Sequence, residues 1–86
     1  MFEVLLDKQP IKFLENADKD LTKRIAIKLR ELENDPVPIN ARRVVGRKEP
    51  VFRLRVGKYR ILYRVNFSEK RIIIVKIDKR GRVYKT

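Results

Sequence analysis

Arginine is the residue type with the clearest chemical potential in this sequence. Four arginines alternate with other residues on either side of a Gly-Lys step: Arg53, Arg55, Arg60 and Arg64. Guanidinium groups match phosphate oxygens in bidentate geometry and keep their charge throughout the physiological pH range. Such groups bind nucleic-acid backbones and stabilise negative charge that develops on a phosphate. The pattern therefore favours phosphate chemistry or the binding of a polyanion.

The sequence lacks cysteine and histidine, which excludes several kinds of site. Disulfides, thiol catalysis and thiolate metal sites need cysteine, and histidine is the commonest general base and metal ligand. After position 40 the acidic residues are Glu49, Glu69 and Asp78, and they lie far apart along the chain. We therefore expect neither a carboxylate–metal nuclease nor any cofactor.

The positive charge is concentrated in the second half of the chain. The 86 residues carry a net charge of +12, yet residues 1–40 contain seven basic and eight acidic residues, whereas residues 41–86 contain sixteen basic and three acidic ones. Such segregation creates a local positive field, whose usual target is a nucleic-acid backbone or an anionic membrane. No apolar run approaches the roughly 20 residues of a membrane span, so we expect a cytoplasmic protein with no membrane partner.

The hydrophobic pattern changes from helical to strand-like at about residue 41, which predicts an α+β fold. An amphipathic helix over about 19–33 follows from the spacing of Leu21, Ile25, Leu29 and Leu32. A shorter apolar stripe behind Pro10 predicts another helix to about Ala17. The predicted strands cover about 2–6, 41–45, 51–56, 59–65 and 71–77. A strand and a helical hairpin should thus pack on a twisted, mostly antiparallel sheet of four to five strands in a single domain, residues 1–86.

A two-residue turn at Gly57-Lys58 predicts the register of a β-hairpin. The facing pairs are then Val56/Tyr59, Arg55/Arg60, Leu54/Ile61, Arg53/Leu62 and Phe52/Tyr63. In this register the large apolar and tyrosine side chains share one face, and all four arginines share the other face with Leu62. Directly opposed like charges cost up to about 1 kcal/mol. Folding does not require that cost, so an anionic ligand explains the arrangement better than a solvated surface.

The end of the chain adds further basic residues and an aromatic. Ile72, Ile74, Lys76, Asp78 and Arg80 share parity along the last strand, so we expect Lys76 and Arg80 beside the arginine face. The closing segment is Lys79-Arg80-Gly81-Arg82-Val83-Tyr84-Lys85. A base stacked on Tyr84 beside phosphate-binding arginines is the recurrent chemistry of single-stranded nucleic-acid recognition. The alternative role of Tyr84 is an aromatic that closes the edge of the core.

At these residues the sequence resembles the RelE/ParE superfamily of toxin–antitoxin toxins, and it looks most like archaeal RelE. The resemblance covers nearly the whole chain and is most specific in the hairpin Phe52-Arg-Leu-Arg-Val-Gly-Lys-Tyr-Arg-Ile-Leu-Tyr-Arg, with support from Val45-Gly46 and Lys79-Arg-Gly-Arg-Val-Tyr. A RelE-like protein is implied to cleave mRNA in the ribosomal A site without a metal. Its implied partners are the ribosome, mRNA and a RelB-like antitoxin that wraps it, and, through the antitoxin complex, operator DNA.

The resemblance also implies a basic active site. Catalytic roles fall on Arg60, Arg80, Tyr84, Arg53 and Arg55. Contacts to RNA fall on Arg64, Lys58, Lys76, Lys79 and Arg82. Arg53 and Arg55 stand where the best-known bacterial enzyme has lysines, and an arginine effectively never loses its proton, so the general base stays open. Tyr84 is a candidate base or stacking platform, Lys76 and Lys79 are alternatives, and the proton donor is unassigned.

Two other functions fit the same residues. ParE-like toxins share the fold and the capture by an antitoxin but poison DNA gyrase. Arg80, Tyr84 and the arginine-rich strands favour RNA cleavage over that activity. A non-enzymatic RNA-binding module, such as a small ribosomal protein, fits the composition and would bind RNA with a steep salt dependence without cutting it.

Overall fold

The computed structural model describes residues 1–44, 46 and 48–79. They form β1 (Glu3–Leu6), α1 (Lys8–Asn16), α2 (Lys19–Asn34), β2 (Arg42–Arg43), β3 (Val51–Val56), β4 (Tyr59–Asn66) and β5 (Arg71–Lys79). The strands make one sheet in the order β1-β5-β4-β3-β2. Strand β1 is parallel to β5, and the other neighbours are antiparallel. The predicted α+β architecture, with a helical hairpin on a mostly antiparallel sheet, is confirmed.

Both helices begin at aspartate caps. Before α2, the Asp18 side chain accepts a hydrogen bond of 2.8 Å from the backbone N–H of Leu21. Before α1, the Asp7 side chain accepts one of 2.9 Å from the N–H of Lys8. Such caps satisfy amide groups that have no partner within the helix. Because Asp7 acts as the cap, α1 starts two residues before Pro10, which lies in the first turn.

The core lies between α2 and one face of the sheet. Helix α2 contributes Leu21, Ile25 and Leu32, and the sheet contributes Phe52, Leu54, Val56, Ile61, Tyr63, Val65, Ile72, Ile74 and Ile77. The hydroxyl of the buried Tyr63 donates a hydrogen bond of 2.8 Å to the Pro36 carbonyl. This bond ties the loop after α2 to the middle of the sheet, while removal of apolar surface from water supplies most of the stabilisation.

The hairpin of β3 and β4 has the predicted register at every position. Val56 pairs with Tyr59, Arg55 with Arg60, and the remaining pairs follow out to Val51 with Arg64. Gly57 has a φ of 58°, the left-handed conformation that glycine supplies at the first position of a type II′ turn. The faces separate as predicted, with the apolar side chains packed toward the helices.

Strand β5 departs from simple alternation at a β-bulge. Leu62 pairs with Lys76 and Tyr63 pairs with Ile74, so Val75 is an extra residue between the two pairs. Ile72, Ile74 and Ile77 are therefore all buried. The predicted parity, which grouped Ile72 and Ile74 with Lys76 and Asp78, is wrong because the bulge reverses the faces. Lys76 nevertheless lies on the arginine face, since its partner Leu62 does.

Strand β2 is shorter than the predicted 41–45. The Ala41 N–H donates to the Pro38 carbonyl at 2.9 Å, which keeps Ala41 in a turn. The Val44 N–H still donates to the Val51 carbonyl at 2.8 Å, so the backbone stays beside β3 past the end of the assigned strand. Val45, which the prediction includes, lies outside the described residues.

Strand β5 continues past the end of β1, and a side chain takes over the pairing there. The Gln9 amide nitrogen donates to the Ile77 carbonyl at 2.8 Å, and the Gln9 amide oxygen accepts from the Ile77 N–H at 2.9 Å. This reciprocal pair reproduces one step of a backbone ladder. It holds the end of β5, from which the chain continues toward Arg80.

Candidate nucleic-acid interface

The arginine face contains two adjacent rows of side chains that run across the sheet. The first row contains Arg42, Arg53, Leu62 and Lys76. The second row contains Arg55, Arg60 and Asp78. Directly opposed side chains in a sheet have their Cβ atoms about 4.5–5.5 Å apart. The two rows therefore bring five cations and one carboxylate into a small area.

A cleft of about 430 Å³ opens at the β3 side of these rows, and we call it the arginine cleft. Strand β2 pairs only with Phe52 and Arg53, so the rest of β3 has room beside it. The lining residues are Asn40, Arg42, Arg53, Leu54, Arg55, Gly57 and Arg60. Four of these seven residues are arginines and none is acidic, which makes the cleft a concentrated source of positive potential.

The structure brings Arg53, Arg55 and Arg60 together, and it adds two residues that the sequence reasoning missed. Arg42 enters because β2 sets it opposite Arg53. Asn40 enters from the turn just before β2. Residues 44–50 separate β2 from β3, which is too long a connection for the sequence to define their register. The Arg42-Arg43 dipeptide at the start of the basic half was the available signal.

Arg64 shares the arginine face but lies apart from the cleft. Its cross-strand neighbours are the apolar Val51 and Ile73. An Arg64 Nη1 atom lies 3.3 Å from Glu49 Oε2, in a separate cleft of about 500 Å³. Arg64 is therefore partly neutralised and is not part of the arginine cleft.

The predicted lysines occupy three different settings. Lys58 is exposed in the hairpin turn beside Gly57. Lys76 is half-buried in the first row of the arginine face. Lys79 pairs with Tyr59 and so belongs to the helix side of the sheet, where it is exposed. Arg80, Arg82 and Tyr84 lie outside the described residues, and their predicted roles stay predictions.

Two tyrosines of the hairpin sit on the helix side of the sheet. Burial raises the pKa of Tyr63 well above its ordinary value, and the nearby Asp35 carboxylate raises this pKa further. Tyr63 therefore stays protonated and cannot act as a base near neutral pH. The half-buried Tyr59 meets the Phe13 ring edge-on, with 5.5 Å between ring centroids. Neither residue lines the arginine cleft.

Within residues 1–44, 46 and 48–79, no three aspartate, glutamate, histidine or cysteine side chains gather where they could hold a metal ion. In the same part of the chain, neither helix has the length and apolar character needed to cross a membrane.

The fold and the cleft define a class of small α+β proteins whose sheet carries helices on one face and arginines on the other. A family model described as "ParE toxin of type II toxin-antitoxin system, parDE" matches residues 5–84. A curated relative from Methanocaldococcus jannaschii, named as a RelE toxin, is 32% identical and aligns over 98% of this chain and 96% of its own length. The chain therefore belongs to the RelE/ParE superfamily, as a RelE-like toxin of a toxin–antitoxin system.

Solved structures show the same fold. A chain of the archaeal RelE-RelB complex from Pyrococcus horikoshii OT3 superimposes with a TM-score of 0.84 at 33% identity, covering 94% of this chain and 97% of that chain. The isolated RelE toxin of E. coli superimposes with a TM-score of 0.79 at 17% identity, covering 98% of this chain and 92% of that chain. The second likeness concerns the fold alone.

Proposed function

We propose that this toxin is a ribosome-dependent, metal-independent endoribonuclease that cleaves mRNA in the A site and so inhibits translation. The arginine cleft is the observation that carries the proposal. Four guanidinium groups without a carboxylate among the lining residues suit a phosphodiester better than a neutral or cationic substrate. The cytoplasm, where mRNA is translated, is the matching location.

RNA cleavage has three tasks: removal of the 2′-hydroxyl proton, stabilisation of charge on the phosphate and protonation of the departing 5′-oxygen. The arginines of the arginine cleft support the second task. Attack by the 2′-hydroxyl on the neighbouring phosphorus forms a pentacoordinate phosphate, and its collapse breaks the bond to the 5′-oxygen. In our proposal, Arg53, Arg55 and Arg60, which line the arginine cleft, stabilise the negative charge on that phosphate. Strands β3 and β4 fix these groups before substrate arrives, and preorganised cations are typically the largest catalytic contribution.

The two proton transfers need other residues. Arginine does not give up its proton, and Tyr63 is buried with its hydroxyl bound to Pro36. We propose Tyr84 as the general base or as a platform on which a nucleobase stacks, with Arg80 on the phosphate. Lys76 and Lys79 are the alternatives for either transfer, and of the two only Lys76 lies on the arginine face. The proton donor is not assigned.

A RelB-like antitoxin is the proposed protein partner. The Pyrococcus horikoshii relative was solved as a RelE-RelB complex, and the charge of this chain suits an acidic partner segment, because residues 41–86 carry sixteen basic and three acidic residues. Through that complex the toxin would take part in binding operator DNA.

The test is cleavage of mRNA programmed on ribosomes matched to the source, with new ends mapped by primer extension. The wild-type protein should cut within the A-site codon and leave a 2′,3′-cyclic phosphate, the product of attack by the RNA's own hydroxyl. Arg60→Ala and Arg80→Ala should each slow cleavage by about 10²–10³. Arg30→Ala is the matched control, because it removes the same charge from an exposed position on α2. Intact mRNA would refute the proposal.

Poisoning of DNA gyrase is the second candidate function, and the description of the matching family model supports it. The matching model is described as a ParE toxin, whereas the relatives reported above are RelE proteins. If mRNA stays intact, a supercoiling assay with DNA gyrase separates the two functions. Binding of RNA with neither activity would indicate a non-enzymatic RNA-binding module.

A further inference from the structure

Arg24 lies at the hairpin turn, although α2 carries it and packs against the other face of the sheet. A Cβ atom built on Gly57 would collide with the Arg24 guanidinium, so this group fills the space beside the Gly57 Cα. Gly57 is itself part of the lining of the arginine cleft. Arg24 is not itself a lining residue, but it places a further guanidinium beside Gly57, at the turn end of the arginine cleft.

The charge of Arg24 has no counterion in the described structure. Its side chain is exposed, and no carboxylate of residues 1–44, 46 or 48–79 forms an ion pair with it. By contrast, Arg64 lies 3.3 Å from Glu49 and Arg71 lies 3.4 Å from Glu3. A guanidinium held near other cations raises the electrostatic energy of the free protein, and a bound anion lowers it.

Position 57 favours glycine for two separate reasons. Its φ of 58° lies in the left-handed region, where other residues are strained. Its missing side chain also leaves the space that the guanidinium occupies. The turn therefore fixes the position of Arg24 relative to the Arg55/Arg60 pair, two residue steps or about 7 Å away along the strands.

We infer that Arg24 and the Gly57-Lys58 turn form a second phosphate subsite, which binds the RNA backbone one nucleotide away from the reacting phosphate. This inference rests on the proposed function, because it extends the same strand of RNA along the arginine cleft. Arg24 supplies a planar pair of donors, and the exposed Lys58 adds a second cation. Arg24 is a binding residue and not part of the reaction itself.

The test uses a fluorescein-labelled 2′-O-methyl RNA hexanucleotide, in which methylation removes the attacking hydroxyl, and measures its Kd by fluorescence anisotropy. Arg24→Ala should raise the Kd by about five- to tenfold, the scale of one charge-assisted contact. Arg24→Lys should restore part of the affinity, because it returns the charge without the planar fork. Lys23→Ala is the matched control, since it removes one exposed cation from the neighbouring position of α2. Arg60→Ala tests whether the arginine cleft itself binds the RNA.

A dinucleotide of the same chemistry supplies a second readout. It is too short to reach both positions, so Arg24→Ala should leave its Kd unchanged while Arg60→Ala weakens it. Equal hexanucleotide affinity in Arg24→Ala and Lys23→Ala, with loss in Arg60→Ala, would overturn the second subsite alone. Wild-type affinity in Arg60→Ala as well would also count against the proposed function. Weakened dinucleotide binding in Arg24→Ala would place Arg24 at the first phosphate and overturn the inference.

Discussion

At the residue scale, the chemistry of arginine limits these residues to one role in the proposed site. Arg53, Arg55 and Arg60 keep their protons, so they can stabilise a phosphate but cannot accept a proton from the 2′-hydroxyl. The base must come from another residue, and the buried Tyr63 is excluded by its raised pKa and by its hydrogen bond to Pro36. In the proposed mechanism the arginines of the sheet therefore stabilise the phosphate, and Tyr84, Lys76 and Lys79 are the candidates for proton transfer.

The Arg55/Arg60 pair should trade stability for function. Arg55→Gln removes repulsion from a directly opposed cation, so the free energy of unfolding should rise by a few tenths of a kcal/mol to about 1 kcal/mol. RNA cleavage should fall in the same variant. Urea unfolding at low salt measures the gain, which should shrink as salt screens the repulsion. In the control Arg71→Gln, two ion pairs are lost and no gain is expected. A destabilised Arg55→Gln protein would contradict the prediction.

Tyr63 should make the fold sensitive to high pH. An unfolded tyrosine ionises near a pKa of 10.0, whereas folded Tyr63 keeps its proton at higher pH. Its contribution to stability is therefore complete below about pH 10 and is lost as the pH rises toward the raised folded pKa. Tyr63→Phe should unfold with about 1–2 kcal/mol less free energy at neutral pH, because the Pro36 carbonyl loses its partner.

The pH slope separates this ionisation from other titrating groups. Between about pH 9.5 and pH 11 at constant ionic strength, the wild-type free energy of unfolding should fall more steeply than that of Tyr63→Phe. Both proteins share every lysine and the other tyrosines, so the difference isolates Tyr63. Equal slopes would mean that burial does not shift the ionisation of this hydroxyl.

At the element scale, the register of two neighbouring strands could be predicted where a short turn joins them. The hairpin register was predicted completely, because a two-residue Gly57-Lys58 turn leaves one register that buries the apolar face. Strand β5 was predicted with the wrong parity across Val75, since a bulge has no signal in alternation of residue types. Arg42 was missed for a related reason, because residues 44–50 separate β2 from β3 and so many residues do not define a register.

The two hydrogen bonds between Gln9 and Ile77, here called the Gln9 clamp, should control the end of β5. Gln9→Leu removes both hydrogen bonds to Ile77 and leaves its peptide groups without these partners, at a cost of about 2–4 kcal/mol in unfolding free energy. Hydrogen exchange at the Ile77 amide should accelerate more than exchange in β3. Cleavage should also slow, because β5 carries Asp78 opposite Arg60 and leads to Arg80.

A suitable control for the clamp is Asn16→Leu. The Asn16 amide donates only to the Lys12 carbonyl of its own helix, at 2.9 Å and in an exposed position. That change should alter the free energy of unfolding by less than about 0.5 kcal/mol, the usual range for surface substitutions. Unchanged exchange at Ile77 in Gln9→Leu would show that pairing with β4 holds this part of β5 without the Gln9 hydrogen bonds.

At the scale of the whole molecule, two faces of one sheet serve separate needs. The helix side holds the core, with Ile25, Leu32 and Tyr63 fully buried. The opposite side carries basic residues from the second half of the chain, where the positive charge is concentrated. The sequence therefore predicted which half would be basic and which hairpin face would carry arginine. It could not predict that Arg24 lies beside Gly57, because a helix residue meets the hairpin turn only through the packing of α2 on the sheet.

This segregation predicts how RNA affinity depends on salt. Each phosphate contact on a single strand contributes a slope of about 0.7 to the fall of log affinity with log salt. Replacing Arg53, Arg55 and Arg60 together by glutamine should therefore lower the slope by about 2, measured with the methylated hexanucleotide over a salt series. The control replaces Lys12, Lys19 and Lys23 together by glutamine. These substitutions remove the same charge from the exposed surface of the first half of the chain. Its slope should match the wild type, because those lysines lie outside the arginine cleft. Equal losses in both triple variants would mean that RNA senses the net charge of the protein and not the cleft.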